Sequence, residues 1–273
     1  MAFSYRTLRS FIKDYAPWPR RRFRAFGIGA MKTGTTTIAD MLDDRYRVRH
    51  EAETNATVRL VLAWESGAIS RDALLRRLRW RDRRLRLDLE SSHLLGHFAA
   101  ELAELFPDAK YLVTVREPWS WLVSRISFHD KHTTRPWRLY RQRFMVATDS
   151  DFLPAEEGLR RRGLCPLRTY LSQYEGHYGR IRSHLPADRC LVVRTERIDE
   201  SIGVIAGFLD VPDGALTPRR SNPMPKRSGV LDELDPDFVA ASIWKWCPEV
   251  VTRYFPERAE RYARARHPAL DSG

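Results

Sequence analysis

Three scarcities narrow this 273-residue chain before any motif is read. Apolar runs are short: none approaches the ~20 residues that carry a helix across a bilayer, and Met1 to Arg24 holds no continuous apolar core of the signal-peptide kind. Cysteine is rare. Cys165, Cys190 and Cys247 are scattered, odd in number, and form neither a CxxC pair nor a zinc spacing; this argues against a disulfide framework and predicts a reduced, cytoplasmic setting. Lysine is nearly absent despite a formal net charge of +12. It stands only at positions 13, 32, 110, 131, 226 and 245, and arginine supplies the rest of the 47 basic residues.

What is present is enough apolar material, 43% of residues, for one sizeable α/β core. The basic excess attracts polyanions. A multiply charged nucleotide or an acidic acceptor gives a reason for it, whereas nucleic acid has no supporting motif. No internal repeat is evident.

The richest stretch runs from Phe23 to Leu42: an apolar run, a glycine-bearing loop with Lys32 and a string of threonines, then an amphipathic helix. A strand, a tight basic loop and a helix N-terminus together make an anion site, because unpaired N–H groups and the helix dipole face outwards. Residues 27–37 are therefore expected to hold a phosphate-like group. The Walker pattern places lysine after its second glycine; here Lys32 precedes Gly34, so that pattern fails. The bland alternative is a glycine turn that starts a helix beside an incidental lysine.

A second segment, Ala109 to Arg116, reads as a buried strand ending in arginine, followed by Glu117-Pro118 and a helix-compatible run through Ser124. Ligands of open α/β sheets bind beyond the carboxyl ends of the strands, and a planar guanidinium suits a phosphate.

In order and spacing these two motifs resemble those of the sulfotransferases that use 3′-phosphoadenosine 5′-phosphosulfate (PAPS). Lys32-Thr-Gly-Thr-Thr36 is similar to the family's 5′-phosphosulfate loop, with Met31 where proline is usual, and Arg116 with Ser124 is similar to its 3′-phosphate clamp, with Glu117 where Asn or Asp is common. Asp188–Ile198 and Gly207–Pro212 resemble later family segments, and Gly163–Tyr174 a helix of the heparan-sulfate-type branch, so the likeness covers roughly residues 20–260. The resemblance implies an α/β fold, a single P-loop-like domain over 1–273 with a central parallel sheet flanked by helices. It implies a soluble, bacterial-like member, closest to the carbohydrate branch, that transfers a sulfuryl group from PAPS to a hydroxyl of a sugar or other small metabolite.

By the same resemblance Lys32 acts at the leaving oxygen, Thr33, Gly34, Thr35, Thr36 and Thr37 hold the 5′-phosphate, and Lys226 and Arg227 reach the 3′-phosphate from a late loop. The general base is Glu90, which matches a catalytic Glu of the heparan-sulfate type although Ser91 replaces the following lysine, or its rival His93, since cytosolic members use a histidine in this region. A base must come within hydrogen-bond reach of the acceptor hydroxyl. His93 and His97 are one helical turn apart, but the H-E-x-x-H glutamate is missing and no third ligand follows, so no metal is assigned.

Periodicity places strands at 23–29, 84–90, 110–116 and 190–194. It places helices from the loop to Asp43, from a Ser70 cap to Leu78, and at 97–106, 119–128, 166–184 and 199–209. Residues 1–19 read as a basic amphipathic extension, packed on the domain or touching a membrane surface. Residues 129–163 and 212–236 read as segments around the acceptor and over the donor. Two rivals remain. A kinase or NTPase needs a Walker B strand ending in Asp, and the best strand ends in Arg116; a basic nucleic-acid binder on a degenerate nucleotide fold predicts steep salt dependence.

Overall fold

The computed structural model describes residues 20–129, 135–212, 214–218 and 229–271. The amphipathic extension 1–19, Lys226 and Arg227 lie outside the described residues. In chain order the elements are β1 (Ala25–Gly27), α1 (Thr35–Leu42), β2 (Val48–His50), α2 (Thr54–Glu65), α3 (Arg71–Leu85) and β3 (Leu89–Ser91). A 3-10 segment, His93–Phe98, leads into α4 (Ala99–Leu105), β4 (Lys110–Val115), α5 (Pro118–Ile126), α6 (Arg135–Phe144), α7 (Glu157–Arg161) and α8 (Leu167–His184). The chain continues with β5 (Cys190–Arg194), α9 (Ile202–Leu209), α10 (Pro236–Trp246), α11 (Pro248–Tyr254), α12 (Pro256–Arg264) and α13 (Pro268–Asp271).

The strands form one sheet in the order β2-β3-β1-β4-β5, every pair parallel. From β1 the chain runs first to the edge strand β2 and returns to β3 beside β1, then crosses to the other side for β4 and β5. The reversal therefore falls between β1 and β4, the place where open α/β sheets leave a crevice at their carboxyl ends. Register fixes what lines it: Gly27 pairs with Ser91 on one side and Leu112 on the other, and His50 also pairs with Ser91. The residues just past these positions share one edge.

Helices cover both faces, as a parallel sheet requires. Along β4, Tyr111, Val113 and Val115 join one apolar cluster and Leu112 the other, the period of two expected for a strand. The first cluster packs on α8, which buries Leu167, Tyr170, Leu171, Tyr174, Tyr178 and Ile181 at helical spacing. The second packs on α1 and α9 through Ile38, Leu42, Ile205 and Leu209.

Several expected boundaries are corrected. Ser70 does cap a helix, accepting from Ala73 N at 3.3 Å, but that helix runs to Leu85 rather than Leu78, because its many Arg and Leu residues are good helix formers. The alternating stretch 84–90 is consequently not one strand: its start belongs to α3, Arg86 turns the chain at φ 50°, and only Leu89–Ser91 pairs. The first strand is Ala25–Gly27, shorter than 23–29. A 3-10 turn replaces the start of the 97–106 helix. Strand β2, helix α2 and the helices after residue 235 were not anticipated, and 129–163 contains the ten-residue helix α6.

Candidate active site

The loop after β1 is held open by its own chain and by three neighbouring elements. Lys32 and Gly34 both have left-handed backbones, φ 71° and 98°. That conformation is strained for lysine and natural for glycine. A Cβ at Gly34 would lie 2.6 Å from Ile198 Cδ1. Between them Thr33 is fully buried. Its N–H and Oγ1 both donate to Ala30 O, at 3.3 and 2.7 Å, and Oγ1 also meets Thr114 Oγ1 at 2.8 Å. Thr33 therefore closes the turn, with both its donors used within the protein. From outside the loop, Trp121 Nε1 donates to Met31 O at 2.8 Å, Thr195 Oγ1 to Thr33 O at 2.6 Å, and Tyr178 OH to Thr114 O at 2.7 Å.

Helix α1 starts at this loop with Gly34 as its N-cap and no side chain accepting from its first turn. Thr35 Oγ1 and Thr36 Oγ1 lie 3.1 and 3.3 Å from Nε2 of His50, whose pKa burial holds below the usual histidine value. Lys32 Nζ sits 4.4 Å from the centre of the Phe128 ring. The result is a helix N-terminus, a lysine and two threonine hydroxyls on one edge, the arrangement that binds an anion.

Arg116 follows β4 on the same edge. Its backbone is fixed by Tyr174, whose hydroxyl accepts from Arg116 N at 3.0 Å and donates to Arg116 O at 2.6 Å. Its guanidinium donates to Ser120 Oγ at 3.1 Å and to Lys32 O at 3.4 Å, so the strand end and the loop are in contact. Burial lowers its pKa from the usual arginine value. Arg116 thus meets Ser120, one helical turn on, while Ser124 is buried in α5 at 3% exposure. Glu117, the departure from the expected Asn or Asp, has a local cause: it caps α5, accepting from Trp119 N and Ser120 N at 3.1 and 2.9 Å with Pro118 at the first helical position.

The two rivals for the base part company. Neighbouring strand residues point to opposite faces. Glu90 is buried, and both of its oxygens are held by Arg81, with Nη2 at 2.6 Å from Oε1 and Nη1 on Oε2. Arg81 also donates to Ala52 O at 2.7 Å. Glu90 lines a small pocket with Arg24, Arg81 and Asp82 as well as Leu78, Leu95 and Phe106.

His93, past the end of β3, lines a different cavity of about 280 Å³, whose wall includes Ala30 and Met31 of the loop. Its Nδ1 lies 3.0 Å from Glu51 Oε1, and its Nε2 is buried without a hydrogen-bond partner. Because a carboxylate only accepts, Nδ1 carries a proton, and in the neutral imidazole the lone pair is then on Nε2. Glu51 arrives there through register, its N–H donating to Ser91 O at 2.9 Å. His97 lines the cavity too, but both its nitrogens are engaged, by Glu65 at 2.6 Å and Tyr140 OH at 3.0 Å. The two histidines thus face separate carboxylates, and among the described residues no group of three or more potential ligands could hold a metal.

A family model described as "Sulfotransferase domain" matches residues 24–227. The chain belongs to the sulfotransferase family. Solved structures similar to it include a sulfotransferase from Alicyclobacillus acidocaldarius, with 18% identity, 92% of this chain and 99% of that chain covered, and a TM-score of 0.45. A sulfotransferase domain from a Synechococcus olefin synthase matches at 15% identity over 92% of each chain, TM-score 0.41. A sulfotransferase from Mycobacterium avium matches at 16% identity over 74% of this chain and 68% of that one, TM-score 0.37. No curated protein matches significantly. In this sulfotransferase no helix among the described residues is long and apolar enough to cross a membrane.

His50, Glu51 and Ser120 were missed by the sequence reading. Ser120 stands four residues after Arg116 and was visible in principle; His50 and Glu51 sit at the end of a three-residue strand that leaves no periodic signal.

Proposed function

We propose that this sulfotransferase moves a sulfuryl group from PAPS to the hydroxyl of a small acceptor seated beside Met31, with His93 as general base. The observation that carries the reading is His93, its Nδ1 on Glu51 and its Nε2 buried with no hydrogen-bond partner among the described residues, on the wall of a cavity shared with the loop that begins α1.

The residue roles follow from position. Lys32 and the N-terminal turn of α1 stabilise negative charge on the departing 5′-phosphate. Thr35 and Thr36 hold its oxygens, with Thr37 one residue further into the helix. Arg116 takes the 3′-phosphate with its planar fork, steadied by Ser120; for Ser124, Lys226 and Arg227 the family resemblance alone suggests a part in the same contact. As the acceptor oxygen bonds to sulfur, the bond from sulfur to the bridging phosphate oxygen breaks. The hydroxyl proton goes to His93 Nε2, and the bisphosphate product leaves. Glu90, enclosed by Arg81, fixes α3 to the sheet and is not the base. That removes the ground for a specifically carbohydrate acceptor, which rested on a Glu-type turn. A cytoplasmic setting belongs to the proposal and is supported by three free thiols.

Calorimetric titration with 3′,5′-bisphosphoadenosine, against AMP and ATP, tests the reading. Tight binding that needs the 3′-phosphate supports it. Preference for ATP, or no nucleotide binding by folded protein, sinks it.

A further inference from the structure

The cavity beyond His93 holds two guanidinium groups that no described carboxylate neutralises. Arg125, at the end of α5, is 7% exposed. Its contacts are Met145 Sδ at 3.6 Å and the Tyr170 ring at 5.6 Å. The groups acting on it most strongly are Tyr170, Tyr140, Cys165 and Arg141, none of them a carboxylate, and burial lowers its pKa from the usual arginine value. Arg180, on α8, has a buried Nε without a hydrogen-bond partner. Arg180 acts electrostatically on Glu65, but that carboxylate accepts from His97 Nδ1 at 2.6 Å. Gln173 adds a buried, unpartnered Nε2 donor. Gln173, His177 and Arg180 fall four and three residues apart on α8, so they share one helix face, and all three line the cavity with Arg125.

A desolvated cation with no counter-ion is costly to keep, and so is a buried unpaired donor. Three such groups lining one cavity make a place for an anion. The same cavity is also lined by aromatic side chains: Trp121, Tyr140, Phe144 and Tyr174. The volume, about 280 Å³, lies near the low end of ligand sites, which start at roughly 300 Å³.

We propose that the acceptor is a small hydroxylated aromatic acid, its ring against these aromatic side chains, its hydroxyl at His93 Nε2 and its carboxylate on Arg180, Arg125 and Gln173. The proposal rests on the sulfuryl-transfer reading for its hydroxyl end and on the unpaired arginines alone for its acid end. In the reaction the acceptor's phenolic oxygen gains the sulfuryl group and loses its proton to His93; the carboxylate is unchanged and serves only as the handle.

The test uses the full chain, first without nucleotide and then saturated with 3′,5′-bisphosphoadenosine. Para-hydroxybenzoate is titrated against para-hydroxybenzamide, and para-hydroxyphenylpropionate against its amide, by calorimetry. The acid of at least one pair is expected to bind about tenfold or more tightly than its amide, the scale of one charge-assisted hydrogen bond, and to lose that margin as salt rises. Arg180→Gln is expected to shrink the acid-to-amide ratio. Equal affinity for acid and amide in both pairs, or no binding of any of them by protein that binds the bisphosphate, overturns the proposal. Failure of the bisphosphate to bind would instead strike the sulfuryl-transfer reading, and the nucleotide-free titration would still decide the anion subsite. The acid-to-amide ratio of the unaltered protein stands even if Arg180→Gln fails to fold.

Discussion

Glu51→Gln is the sharpest test of the base, because it changes one proton and little shape. In the native arrangement Glu51 can only accept, so the 3.0 Å contact places the imidazole proton on Nδ1 and frees Nε2 for the acceptor. An amide at position 51 can donate instead. Where it does, the imidazole carries its proton on Nε2 and that nitrogen can no longer take one. Loss of the charge-assisted bond alone, about 1.5–3 kcal/mol, corresponds to roughly 10- to 150-fold in rate at ~1.4 kcal/mol per decade. A wholly wrong tautomer removes general-base catalysis, worth about 10²–10⁴. The expected fall in kcat is therefore about 10²–10³, intermediate between these bounds. The assay is transfer of labelled sulfuryl from PAPS to the best acceptor of the phenolic panel, with bisphosphate affinity measured beside it. Glu51→Asp should retain part of the rate. The double variant with His93→Ala should be no slower than His93→Ala alone, since residues that act as one unit do not add. A kcat within about threefold of the original, or a double variant far slower than either single one, would refute the dyad.

Three further outcomes are expected. Lys32→Ala should cut turnover about 10²-fold or more while the melting temperature stays close to that of the original; unchanged turnover would remove the lysine from the leaving side. Arg116→Ala should weaken 3′,5′-bisphosphoadenosine by about 10- to 100-fold and AMP far less, as read by calorimetry, and equal losses for both would contradict the 3′-phosphate role. His177 donates Nε2–H to Ile28 O at 2.7 Å, and burial pushes its pKa from 6.5 down to about 3. The unfolded chain takes up that proton near pH 6.5 and the folded one only near pH 3, so the contribution is full above the first value and lost as pH falls towards the second. Denaturant titrations across that window should show stability falling by on the order of 1 kcal/mol per pH unit, with a shallower slope in His177→Gln.

The parts of the site that could be read from the sequence are those written in contiguous residues. The loop at 27–37 declares itself by a strand, a lysine between glycines and a helix, and β4 by six apolar-rich residues ending in Arg116. Their meeting, Arg116 on Lys32 O, needed only the rule that parallel strands share a carboxyl edge. Glu51 and His50 were out of reach for a physical reason. Their strand is three residues long, and what places them is pairing with β3, forty residues away in the chain.

The separation of Glu90 from His93 turns on one helix boundary. Ending the helix after Ser70 at Leu78 leaves Arg81 without a position, so nothing in the sequence seems to claim the Glu90 carboxylate. Once the helix continues to Leu85, Arg81 falls one turn beyond Leu78, on the same side of α3 as that buried residue. Since Leu78 and Glu90 line one small pocket, an arginine there has to meet the strand's acid. A buried carboxylate with both oxygens on one guanidinium has no free lone pair directed at a substrate, and removing either partner leaves a charge stranded in the core. Glu90 is thereby committed to the fold. On the proposed mechanism the proton chemistry passes instead to His93, whose Nδ1 meets Glu51 and whose Nε2 has no hydrogen-bond partner among the described residues.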